Sequence, residues 1–236
     1  MTPRAIVRTA LERGVEMIAV CDHNSARNTA VTRRLGQACG LAVIPGIEVT
    51  TAEEVHILGL FASDEAAARM QEEVYAHLYG QNDEKTFGYQ VVIDEEDMVE
   101  DLDERLLIGA TTLGIGRVVD AIHELSGLAI ASHVDRSGFG VFSQLGFIPP
   151  GLKLDALEIS RHTDEETARK RYPQCNEYPL VRSSDAHYLK DIGAVVTHAK
   201  LAAPRFEELK MALSETGGRA VIESPEGLGR STPDPA

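Results

Sequence analysis

A unit recurs along this chain: a helix closed by glycine, a short apolar run, and a polar cluster at the end of that run. Thr2 can cap a helix that carries Pro3 in its first turn, sets Ile6, Val7, Ala10 and Leu11 on one face, and stops at Gly14. Val15 to Cys21 follows as an apolar run of strand length and ends in Asp22, His23 and Asn24. The next helix, from about Ala26 to Cys39, closes at Gly40. Further on the order returns, with a helix from Gly116 to Ser126, Gly127, a strand from Leu128 to Ser132, and then His133. Leu154 to Ile159 and Leu180 to Ser184 read as two more strands, the second presenting Asp185 and His187. Strands alternating with helices predict a parallel sheet, and so many units favour a closed barrel over an open one.

The remaining segments fit the same plan. Leu41 to Ile44 and Ile47 to Val49 read as two short strands punctuated by Pro45-Gly46, and Val55 to Phe61 as a third, followed by a helix from about Asp64 to Tyr79. From Gly80 to about Gly114 the periodicity is mixed, which predicts an irregular or helical insertion covering one end of the barrel. Val134 to Gly151, rich in Gly, Phe and Pro, reads as a long loop of the functional kind. A strand at Ala194 to Thr197, a helix from about Asp164 to Arg171, a helix at Pro204 to Glu215 and a strand at Arg219 to Ile222 complete the pattern. The chain of 236 residues therefore reads as a single domain over residues 1–223, with a flexible Pro- and Gly-rich tail over 224–236.

Charge excludes some partners. The formal net charge of -14 opposes a nucleic-acid backbone, and no Lys/Arg cluster offsets it. Much of that acidity lies between Asp83 and Glu104, where ten Asp or Glu face only Lys85, so the total says little about any site. Cys21, Cys39 and Cys175 form no CxxC pair, which argues against a disulfide framework and against a thiolate zinc site. No stretch approaches the roughly 18 apolar residues of a membrane span, and the N-terminal helix has no apolar signal region, so a cytoplasmic protein is expected.

Chemistry gathers at the strands. Asp22, His23, Glu48, His133, Asp185 and His187 lie at or just after strand ends, which converge on one face of a parallel barrel. His56 is the exception, near the start of its run. Imidazole and carboxylate without thiolate suit Zn, Mn or Fe in hydrolytic sites, and Glu48 could bridge two ions. Taken singly, each has a structural alternative: Glu48 as a helix cap, Asp185 in an Asx-turn, any one His as a hydrogen-bonded structural residue. Their concentration at strand edges favours the metal reading, whereas His77, His123, His162 and His198 read as structural, His162 and His198 being the nearest to exceptions. Arg136 and Arg161 could hold a substrate phosphate bidentately, or equally form surface ion pairs.

Four ordered strings, CDHN, PGIEVTTAEEVHILGLF, ASHVDR and SSDAH, resemble the polymerase-and-histidinol-phosphatase (PHP) family over about Met1 to His198. The resemblance implies a distorted (β/α)7 TIM-like barrel with two or three divalent ions at the strand C-termini, hydrolysing phosphoesters. It assigns metal contacts to Asp22, His23, Glu48, His56, His133, Asp185 and His187, with Asp22 alternatively orienting a ligand. Glu48, Asp185, His187 and Arg136 are then the catalytic candidates, His187 as a donor of the leaving-group proton.

Family members open with a strand bearing His-x-His, and this sequence has none: Met1 falls in what corresponds to the following helix. The expectation is a barrel without its first strand, roughly 15 to 25 residues short, with the start assigned at an internal methionine. A small phosphorylated metabolite or nucleotide is the expected substrate. The alternatives are a metal-poor scaffold of the same fold with a binding or regulatory role, and a nuclease acting on DNA ends.

Overall fold

The computed structural model describes residues 1–222; the tail expected over 224–236 lies outside them. The elements in chain order are α1 (Pro3–Glu12), β1 (Met17–Val20), α2 (Thr29–Cys39), β2 (Ala42–Thr50), β3 (His56–Leu60), α3 (Asp64–Ala76), α4 (Glu84–Phe87), β4 (Val91–Ile93), β5 (Val99–Leu102), α5 (Ile115–Glu124), β6 (Leu128–Ala131), α6 (Val141–Leu145), β7 (Ala156–Ile159), α7 (Glu165–Arg171), β8 (Leu180–Arg182), β9 (His198–Lys200), α8 (Phe206–Leu213) and β10 (Ala220–Ile222). The helix signals hold where capping residues lead them. Thr2 accepts from the Ala5 N–H at 3.4 Å, Ser63 from Ala66 at 3.3 Å, and Asp164 from Thr167 at 2.7 Å.

Six strands form one sheet in the order β1-β2-β3-β6-β7-β8. The β1–β2, β6–β7 and β7–β8 pairs are parallel, as expected. Two corrections follow. The sheet is not wholly parallel, because β3 runs antiparallel to both β2 and β6. Only residues 51–55 separate β2 from β3, and a parallel crossover needs about a dozen or more, so the chain has to turn back on itself. Nor is the barrel closed: among the described residues β1 and β8 are sheet edges, and the last two strands pair with each other antiparallel as a separate ribbon.

Finer expectations shift as well. Pro45-Gly46 does not divide β2, which runs unbroken from Ala42 to Thr50. Pro45 pairs with Val20 and its carbonyl accepts from Phe61 at 2.9 Å, so the missing N–H breaks neither ladder. Gly46 is needed because a Cβ there would lie 2.5 Å from Cys21 Sγ. The strand expected at Ala194 to Thr197 forms instead at His198–Lys200. The earlier residues are tied to β8 through side chains: Thr197 Oγ1 accepts from Arg182 N–H at 2.8 Å and donates to its carbonyl at 2.7 Å. The 80–114 insertion contains the short helix α4 and the β4–β5 hairpin, and α6 interrupts the long loop after His133.

Both sheet faces are covered. Ile47, Val49, Ile57 and Leu157 pack with Met70, Val74 and Ile122 from α3 and α5 on one side. Ile44, Leu60, Leu128 and Ile130 meet Phe206 and Leu213 of α8 on the other. Alternation along β2 sends successive residues to opposite layers, and each such buried side chain contributes about 1.5–3 kcal/mol. A sheet fixed on both faces leaves its strand ends as the place where polar residues can gather without cost to the core.

Candidate metal centre

The tip of β1 continues in register with β2. Val20 pairs with Pro45, and three residues on His23 bridges Glu48 in the same parallel sense. The Glu48 N–H donates to the Asp22 carbonyl at 3.1 Å and the Asn24 N–H to the Glu48 carbonyl at 2.8 Å, so backbone bonds hold His23 beside Glu48. Reversal of β3 brings its first residue, His56, opposite Thr50, at the same end of the sheet. On the far side of β3, Ser132 N–H donates to the His56 carbonyl at 3.0 Å, and His133 follows as the chain leaves β6. Asn24, His133 and Asp185, at the tips of β1, β6 and β8, all have left-handed backbones, with φ of 49°, 30° and 43°. Such conformations in non-glycine residues cost roughly 1–3 kcal/mol each and persist where the surroundings over-determine them.

Three imidazoles surround one carboxylate. His23 Nδ1 lies 3.1 Å from Glu48 Oε2, His56 Nδ1 lies 3.1 Å from Oε1, and His133 Nε2 lies 3.5 Å from Oε1. The ring centroids of His23 and His56 are 5.2 Å apart, and those of His56 and His133 are 5.3 Å apart. Glu48, His56 and His133 are buried, His23 partly so. One donor atom from each of His23, Glu48 and His56 falls within a 4.8 Å span. The Nδ1 atoms of His23, His56 and His133 are buried without a hydrogen-bond partner among the described residues. Unpaired imidazole nitrogens beside a carboxylate are a donor set that a divalent ion satisfies, so these residues fit a metal.

Electrostatics fit the same arrangement. Burial would raise the Glu48 pKa, but the close approach of the His133, His56 and His23 rings outweighs it and holds the carboxyl well below its ordinary range. Burial lowers the His23 pKa despite the pull of Glu48, which keeps that ring neutral and able to ligate. Burial of Asp22 raises its carboxyl pKa; its carboxylate is not in the His23–Glu48–His56 group, while its backbone carbonyl serves the sheet.

Asp185 and His187 stand at the outer side of the cluster. The His187 ring centroid is 5.9 Å from that of His23, and its Nδ1 lies 3.6 Å from Asp185 Oδ1. The Arg136 guanidinium donates to Asp185 Oδ2, so this arginine reaches the site edge. Arg161 turns elsewhere, to Asp191 at 3.1 Å and His162 at 3.5 Å. His77 and His123 have structural partners, the Glu73 carbonyl at 2.9 Å and Asp155 at 2.8 Å.

Sequence reasoning passed over three neighbours of the cluster. Glu158 on β7 is buried, and burial pushes its carboxyl up to about 7, against a hydrogen bond from Ser183. Its signal was a charge inside an apolar strand, the same signal that marks Glu48 in β2. Asp135 accepts from Ser160 N–H and Oγ at 2.7 Å and from Thr163 Oγ1 at 2.6 Å, fixing the loop after His133. Phe139 stacks on His56 with centroids 4.4 Å apart and an interplanar angle of 16°.

No family model matches the chain. Shorter stretches are similar to curated proteins. One is 35% identical over 68 residues to the phosphoribosyl 1,2-cyclic phosphate 1,2-diphosphodiesterase of Eggerthella lenta, covering 27% of this chain and 26% of that protein. Another is 38% identical over 65 residues to the 5'-3' exoribonuclease Rnm of Escherichia coli, covering 25% of this chain and 22% of that protein. The lesion-specific endonuclease Q of Pyrococcus furiosus has a similar structure, with a TM-score of 0.68 at 17% identity over 94% of this chain and 53% of its own. That likeness shows the fold, and the matched stretches span about a quarter of either curated relative. No described helix is long and apolar enough to cross a membrane.

Proposed function

We propose that this chain is a cytoplasmic metal-dependent phosphoesterase of the PHP type, acting on a small phosphorylated metabolite or nucleotide. The observation that carries the reading is the set of three buried or part-buried histidine rings around an ionised Glu48, each with an Nδ1 that has no hydrogen-bond partner among the described residues. The likeness in fold to a nuclease and the short matches to a diphosphodiesterase and an exoribonuclease support phosphoester hydrolysis as the reaction class.

In this reading His23, Glu48, His56 and His133 hold a divalent ion, and Asp185, His187 and Asp22 supply the further donors that two or three ions of Zn, Mn or Fe would use. Such ions, when bound, polarise a phosphoryl oxygen and acidify water to near neutrality. The protein's own groups do the rest. Glu48 keeps its negative charge because the three imidazole rings packed round it hold its pKa down. Arg136 exchanges Asp185 for a phosphate oxygen and balances charge that develops there. Where its ring is not taken up by an ion, His187, with its side chain 58% exposed, gives a proton to the leaving oxygen. Arg161 keeps its pairing with Asp191, so phosphate binding falls to Arg136.

Metal analysis of the purified chain together with a phosphoester panel tests the proposal. Bound divalent metal and metal-dependent turnover are expected, and Glu48→Gln is expected to lower turnover by about two orders of magnitude or more. A chain that takes up no divalent ion when supplied with Zn, Mn or Fe would point instead to the metal-poor scaffold.

A further inference from the structure

One bulky side chain at the mouth of the site has no role in the chemistry above. Phe139 lies in a Gly138-Phe139-Gly140 turn, three residues beyond Arg136, and has a left-handed backbone with φ of 60°. A residue of this size is an uncommon occupant of that region. The turn is fixed from both sides: the Phe139 carbonyl accepts from the His56 N–H at 2.9 Å, and a Cβ on Gly140 would meet the Arg136 carbonyl oxygen at 2.8 Å and the His133 carbonyl oxygen at 3.0 Å. One face of the ring lies on His56, yet the residue remains 40% exposed. The same short segment thus offers a guanidinium and, a few residues on, a rigid aromatic surface.

We propose that Phe139 is a stacking platform for the base of a nucleotide, selecting phosphoesters that carry a flat ring near the phosphate over those that do not. Phe139 already continues the His56 ring as a near-parallel stack, and a base laid on its outer face adds the next layer of that column while Arg136 holds the phosphate. Stacking needs only a π-face, so it serves any base and requires no specific hydrogen bonds. The inference rests on the phosphoesterase reading and narrows its substrate class.

The sequence contains no tryptophan, so Phe139→Trp puts the chain's single indole on the platform. Saturable quenching of its fluorescence by adenosine 5'-monophosphate, and little by ribose 5-phosphate, is the expected result. Equal quenching by both, or none, overturns the proposal whether or not the protein turns over. In a kinetic arm, Phe139→Leu keeps an apolar cover on His56 but removes the flat face. It is expected to lower kcat/KM for nucleotides by about ten-fold relative to kcat/KM for ribose 5-phosphate. Equal losses on both substrates would reduce Phe139 to a cover for His56, and absence of turnover on both by the unaltered chain would sink the phosphoesterase reading instead. Phe147→Leu, which alters an exposed ring beyond α6, controls for general effects and is expected to leave the ratio unchanged.

Discussion

Replacing Asn24 by Ala is expected to destabilise the fold by about 3 to 7 kcal/mol, because this one buried side chain ties the β1 tip to both β2 and the insertion. Its Nδ2 donates to the carbonyls of Leu107 and Gly109, both at 2.8 Å, and its Oδ1 accepts from the Thr50 N–H at 3.1 Å. Truncation leaves the fully enclosed Thr50 N–H unpaired at a cost of about 1–3 kcal/mol. The two carbonyls are only part-buried and can recruit water, so each loses nearer to about 0.5–1.5 kcal/mol. A left-handed backbone adds about 1 kcal/mol for Ala, which lacks the local side-chain bonds that let Asn adopt it. Asn24→Gly isolates that last contribution and is expected to be about 1 kcal/mol less damaging than Asn24→Ala. Denaturant unfolding followed by far-UV circular dichroism gives the values, and a midpoint in heat lower by roughly 6 to 28 °C corresponds to them. A loss below about 1 kcal/mol at unchanged denaturant dependence would mean that the insertion is not anchored through Asn24, and the hydrogen-bond reasoning would have to be abandoned.

Two further outcomes are expected. With chelator present, Glu158→Gln is expected to gain stability relative to the natural chain as pH rises. The folded carboxyl is pushed up to about 7 by burial, so its stabilising protonated state is present below about pH 4 and is lost as pH climbs through 7. The difference amounts to about 3 kcal/mol at pH 8, and urea titrations showing a pH-independent difference would contradict it. Gly46→Ala, whose Cβ would lie 2.5 Å from Cys21 Sγ and 3.1 Å from Leu60 Cδ2, is expected to cost about 1–3 kcal/mol, and a thermal midpoint equal to that of the natural chain would show that β1 and β2 can separate freely.

What could be read from the residues alone was mostly local. Capped helices such as α1 and α3 and the apolar runs of β6 and β7 announce themselves, because propensity, punctuation and burial all agree there. His23, Glu48 and His133 were legible as a group since each terminates or interrupts an apolar run, and the structure brings all three together. Strand direction was not written in any single run; it depended on the length of the link over residues 51–55, which pattern reading treats as mere punctuation. Side-chain ties were equally invisible. Thr197 and Ser184 hold residues 195–197 against the end of β8 without a backbone ladder, and a strand signal there misled for that reason. Glu158 escapes the pattern reading although its setting matches that of Glu48, and of the two readings open for Arg161 the structure shows the ion pair, with Asp191 as a partner that nothing in the sequence marks.

The reversal of β3 explains how a residue at the wrong end of its run can belong to the site. In a wholly parallel sheet, functional side chains sit after strands, and one at a strand start would lie a strand length away, about 17 Å for five residues. Turning β3 over moves its start to the edge where β1, β2, β6 and β8 finish, and His56 comes to 3.1 Å from Glu48. The same turn makes the His56 main chain a link between layers: its N–H holds the Phe139 carbonyl and its carbonyl holds the Ser132 N–H. His56 is thereby fixed through its backbone, and its Nδ1 faces the Glu48 carboxylate at 3.1 Å without the geometry of a hydrogen bond. Rigid placement of an unsatisfied donor is what metal ligation requires, and here it follows from a connection five residues long.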